Sequence, residues 1–158
     1  MIAEAQGIQG FADKPIAGIV FLRSPVRFLD TRSSGASSFA YNLPATPLSV
    51  DTDTLYNARI NVIPNTARGI FGNITCVNNS GNGFLTVYPN STDLRLDWST
   101  PTKPVQNRPF VSTTNYRTSG NPNSFFCIAL GPDGKFWIYN ASTGTSVDVI
   151  VDFIGYVV

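Results

Sequence analysis

The sequence predicts an all-β protein, an antiparallel β-sandwich of immunoglobulin-like or jelly-roll type with about ten short strands and an extended N-terminal arm. Three observations predict it. Residues 72–89, GNITCVNNSGNGFLTVYP, hold two runs of period-two alternation on either side of a block of Asn, Ser and Gly. Turn-forming residues punctuate the whole chain, while helix formers are scarce: Glu occurs once, at Glu4, and Lys three times. No window sustains a helical period. A chain of 158 residues suits one domain, able to bury roughly two thirds of its unfolded surface in a single core. That domain is expected over residues 16–158.

Residues 1–15 alternate weakly, contain Gly7 and Gly10 and end at Pro15, which fits an extended arm. The arm is either a frayed tail or a segment that orders on a neighbouring subunit through Ile2, Ile8 and Phe11. Strands are expected at 17–23, 26–31, 55–63, 69–77, 83–88, 94–98, 110–114, 125–130, 135–139 and 146–157, separated by Gly, Pro, Asn and Ser clusters. Within 72–89, Ile74 and Cys76 share one face against Asn73 and Thr75, and Leu85 and Val87 share one against Thr86 and Tyr88. This is the outline of a β-hairpin with one dry and one wetter face. Two longer Ser-, Thr- and Pro-rich loops, 32–53 and 99–107, must cross between sheets or lie over an edge.

The net charge is +1 with an isoelectric point near 7.7, and the Arg residues are scattered from Arg23 to Arg117, so nucleic acid is not an expected partner. Residues 16–22, IAGIVFL, are too short to span a bilayer, and the opening lacks the basic and apolar regions of a secretory leader. Synthesis in the cytoplasm is expected, with exit, if any, inside an assembled particle. Cys76 and Cys127 each fall in an apolar strand pattern and are read as buried thiols, with a disulfide left open. Asn-x-Ser/Thr sequons at Asn73, Asn78, Asn90 and Asn140 are what chance produces in such a composition.

The chain contains no histidine, which removes the commonest general base and most zinc and iron sites. A paired-carboxylate mechanism would have to draw on Asp51, Asp53, Asp93, Asp97, Asp148 and Asp152, none of which the sequence pairs. No enzyme and no cofactor are expected. Asp148 and Asp152 share the parity of Ile150 and Ile154 in an apolar strand, where a carboxylate needs a partner. Arg27 and Arg32 of RFLDTR, which also contains Asp30, are the obvious donors, and the preferred pair is Asp152 with Arg32. A calcium site at Asp148 or Asp152 is the alternative. The NNSGNG block lacks the carboxylates calcium requires and reads as turn chemistry. Asn78, Asn79, Asn82, Trp137 and Tyr139 are the candidate surface contacts, because exposed amides and aromatic rings suit sugar. Otherwise Trp137 and Tyr139 belong to a covered strand.

Three blocks in order, RFLDTR at 27–32, GNITCVNNSGNGFLTVYPN at 72–90 and DGKFWIYNASTGTSVDVIVDFIGYVV at 133–158, resemble the small β module attached to many secreted and surface bacterial proteins. That module runs from an Arg-Leu-Leu-Asp-Thr-Arg-like start to an Asp-Val-x-Gly-Tyr-like end. The resemblance implies a non-catalytic β-sandwich serving adhesion, carbohydrate contact or display, with Asp30, Arg32, Asp152, Gly155 and Tyr156 at recurrent positions. Residues 111–124 depart from it as an insertion. A near-neutral, histidine-free sandwich with an arm fits a virion accessory protein, such as a phage capsid decoration or cement protein, bound to a capsid or other virion protein and forming a dimer or trimer. The alternative is a glycan-binding or adhesion module at a bacterial surface.

Overall fold

Alternation becomes eight strands in the computed structural model, which describes residues 18–32, 46–59, 63–90, 111–131 and 133–158. The strands are β1 (Ile19–Asp30), β2 (Thr52–Asn57), β3 (Gly69–Val77), β4 (Gly83–Pro89), β5 (Thr114–Tyr116), β6 (Asn123–Ala129), β7 (Lys135–Ser142) and β8 (Asp148–Val157). Among the described residues there is no helix. Ten expected strands become eight for two reasons. The expected 17–23 and 26–31 are one strand, β1, which stays paired to β8 through register shifts between Phe21 and Val26 and between Arg27 and Leu29. Pro25 is tolerated there because β1 is the outermost described strand of its sheet. The expected 94–98 lies outside the described residues, as do the arm 1–15 and its candidate anchors Ile2, Ile8 and Phe11.

Two antiparallel sheets of four strands enclose one apolar core. The first has the order β1-β8-β3-β6 and the second β2-β7-β4-β5. The ladders join first to last: β1 with β8, β2 with β7, β3 with β6 and β4 with β5. Contacts of β8 with β3 and of β7 with β4 close each sheet. Aromatic rings bind the two layers. Phe28 of β1 stacks on Phe153 of β8 at 4.5 Å between ring centroids, and meets Phe136 of β7 at 5.6 Å and Tyr56 of β2 at 6.2 Å. Such contacts add stabilisation beyond the burial of the rings themselves.

The segment 72–89 is not a hairpin. β3 pairs with β8 and β6, β4 pairs with β7 and β5, and residues 78–82 carry the chain from one sheet to the other as an arch. Asn78, in the left-handed region at φ 53°, turns the chain out of its first sheet. The expected dry face holds, since Ile74, Cys76, Leu85 and Val87 all enter the core. The expected wetter face of β4 does not: Thr86 donates its hydroxyl to the Val111 carbonyl at 2.6 Å, Tyr88 donates to Asp53 at 2.6 Å, and both side chains are buried.

Candidate functional site

Antiparallel register sets Arg27 beside Asp152, and Asp152 beside Asn73, on the outer face of the first sheet. The Arg27 guanidinium donates from Nε to Asp152 Oδ1 at 2.5 Å and from Nη1 to Asp30 Oδ2 at 3.0 Å. Arg32 closes on Asp30 instead, from Nε at 2.8 Å and Nη2 at 2.5 Å. The expected Asp152–Arg32 pair is therefore corrected: Arg27 holds Asp152, because a bulged β1 brings position 27 into register with 152, and Arg32 lies past the end of the strand. Two guanidiniums share Asp30, which is only 2% exposed. Hydrogen bonds from Arg32, above all, hold the Asp30 carboxyl below its ordinary range, and the bond to Asp152 raises Arg27.

Among the described residues Asp148 is hydrogen-bonded by uncharged side chains, with Arg32 acting on it only through its charge. Thr31 donates its hydroxyl to Asp148 Oδ1 at 2.9 Å and accepts the Val149 N–H at 2.8 Å, while the Asn78 amide donates to Asp148 Oδ2 at 2.9 Å. The cluster thus laces β1, β8 and the arch together. Its carboxylates already face a cation or donors: Asp152 accepts from Arg27, and Asp148 from Thr31 and Asn78. Among the described residues no group of three or more His, Cys, Asp or Glu side chains converges. Asp51 and Asp53 accept the hydroxyls of Tyr139 and Tyr88 respectively. Asp93 and Asp97 lie outside the described residues.

The candidate surface contacts separate. Tyr139 is 8% exposed and bonded to Asp51, and the Trp137 indole N–H donates to Asn90 Oδ1 at 2.9 Å on a half-buried ring, so neither offers a free platform. Asn78 and Asn79 are structural, Asn79 donating to the Arg117 carbonyl. Asn82 alone faces an open depression of about 770 Å³, whose other polar walls are Asn115, Arg117, Ser119 and Asn121. Asn140, one of the sequon residues, is wholly buried, where it donates to the Leu48 and Ser49 carbonyls and accepts the Tyr116 hydroxyl at 2.5 Å.

The first sheet also carries an apolar outer face that period-two reasoning left unnoticed. One row across the sheet reads Phe21, Gly155, Phe71, Cys127, and the flanking row ends in Phe125. The Phe21 and Phe71 rings lie 5.4 Å apart edge to face, and Phe71 and Phe125 6.3 Å apart. Phe71 fits because Gly155 has no side chain; a Cβ there would collide with the Phe71 ring and the Val20 carbonyl. Phe21 is 49%, Phe125 60% and Ile19 42% exposed. Phe125 was findable: in the pair Phe125-Phe126 on one strand, one ring must point away from the core. Cys127 is exposed in this row, which corrects the reading of two buried thiols, and both cysteines are free. Cys76 is in the core, where burial pushes its thiol up to about 12.

No protein-family model matches the sequence, and no curated protein shows significant similarity to it.

Proposed function

We propose that this protein is a non-enzymatic structural protein that fastens to a larger protein assembly, a virion surface, through the outer face of its first sheet and its N-terminal arm. The observation that carries this reading is the exposed apolar set of Ile19, Phe21 and Phe125, bridged by the buried Phe71 ring, because apolar surface edged by polar residues is what protein interfaces bury. The described chain begins at Gly18, at the rim of the same face. Gly18 accepts the Val158 N–H at 2.7 Å immediately before Ile19, so arm and face can grip one partner together.

The fold is consistent with that role in its finer topology. Pairing first strand to last, second to seventh, third to sixth and fourth to fifth is a long antiparallel hairpin rolled over on itself, the eight-stranded jelly roll that recurs in viral capsid and lectin domains. Fold alone does not assign function. The resemblance of 27–32, 72–90 and 133–158 to a bacterial surface module supports a display or adhesion role of the same non-catalytic kind, with the Arg27, Asp30, Arg32, Asp148 and Asp152 cluster holding the fold.

Co-sedimentation with purified particles tests the reading. The double variant Phe21→Glu/Phe125→Glu and, separately, deletion of residues 1–15 should each abolish attachment while the melting curve is retained. Undiminished attachment of both variants overturns it.

A further inference from the structure

The depression between the arch and the β5–β6 connection has a chemical bias that neither the Arg–Asp cluster nor the apolar face explains. Its polar walls are Asn82, Asn115, Arg117, Ser119 and Asn121, with no carboxylate among its lining residues. Its frame is fixed on three sides. Asn79 donates to the Arg117 carbonyl, Asn82 Oδ1 accepts the Thr118 N–H at 3.3 Å, and Tyr116 beneath is held by Asn140. At Gly83 a Cβ would strike the Ala141 carbonyl and the Tyr116 hydroxyl, so the strand can begin there only as glycine. The arch and the β5–β6 connection are therefore bonded to one another.

Within that fixed frame the donors are unspent. Among the described residues neither the Arg117 guanidinium nor the Asn121 amide has a hydrogen-bond or ion-pair partner, and both residues are exposed. The Asn115 amide makes one bond, to Ser112 at 3.2 Å. Most of these residues fall in 111–124, the stretch that departs from the resembled module.

We infer that this depression is a binding site for a carboxylated saccharide, with Arg117 taking the carboxylate and Asn82, Asn115 and Asn121 taking ring hydroxyls. The guanidinium fork matches a carboxylate bidentately, and side-chain amides offer a donor and an acceptor together, as adjacent sugar hydroxyls do. A volume of about 770 Å³ admits two or three sugar rings. The absence of acidic lining residues removes the repulsion that an anionic sugar would meet. This site is separate from particle attachment, and either can fail alone.

Calorimetric titration of the full chain decides it, with trigalacturonate, a glucuronate-containing hyaluronan tetrasaccharide and sialyllactose as acidic probes. Neutral galactotriose and inorganic phosphate are the controls. At least one acidic probe should bind at least tenfold more tightly than galactotriose and phosphate, and Arg117→Gln should remove at least tenfold of that affinity. Asn121→Ala should weaken it as well, while Arg23→Gln, on exposed β1, leaves it unchanged. Unaltered melting temperatures exclude misfolding as the cause. Binding of none of the three acidic probes overturns the inference. So does phosphate binding of equal strength, or acidic-sugar binding indifferent to Arg117→Gln.

Discussion

At the scale of single residues, Asp30 is the member of the polar cluster with most to lose. Its buried carboxylate accepts from both Arg27 and Arg32, so Asp30→Asn leaves two guanidiniums facing a neutral amide, and should cost about 2–4 kcal/mol in denaturant unfolding. Arg32→Ala removes a half-exposed, local partner and should cost about 1 kcal/mol or less. The pH dependence has a definite sign. The folded carboxyl sits below its ordinary value of 3.8, so its stabilisation is fully present above that value and is lost as pH falls through the folded one. Wild type should weaken over that acid range more steeply than Asp30→Asn. Cysteine chemistry gives a second residue-level outcome: a thiol reagent should label exposed Cys127 in the native protein and reach Cys76 only after unfolding. Native labelling at Cys76 would refute its place in the core.

Elements behave less independently than their patterns suggest. In β3 and β4 the alternation correctly marks the dry side chains, yet the strands are in different sheets, because period two says which way a side chain points and not which backbone lies beside it. What redirects the chain is Asn78, whose left-handed backbone and amide bond to Asp148 both belong to the arch. Asn78→Gly keeps the backbone conformation and loses only the bond; Asn78→Ala loses both. The alanine variant should therefore be the less stable by about 1 kcal/mol in chemical denaturation. Equal stabilities would mean that the left-handed turn matters little. β1 teaches the same lesson from the other side: its Ser24-Pro25 reads as a break, but an outermost strand absorbs a proline through a shift in register.

For the whole molecule, the aromatic residues divide by the layer they face. Phe28 joins both sheets, so Phe28→Ala should cost about 3–5 kcal/mol. Phe21 and Phe125 lie outside the core, and the double Glu variant should change stability by less than about 1 kcal/mol while losing particle attachment. That opposition, stability without attachment, is what distinguishes an interface from a core. Rings of one chemical type thus serve folding or docking according to the sheet face they occupy.

Much of this protein is determined by its sequence alone: the all-β class, the breaks near 64–66, 78–82 and 120–122, the core parity of Ile74, Cys76, Leu85 and Val87, and the need of the last strand's aspartates for polar partners. Local chemistry suffices for these, because alternation, turn residues and the cost of burying a bare charge act over a few residues. Tertiary structure decided which arginine reaches Asp152, that the arch crosses sheets, that Cys127 and Phe125 face outward, and that Arg117 and Asn82 share one depression. Each of those depends on register between strands as far apart as Ile19 and Val157, and register is set by the packing of two whole sheets on one core.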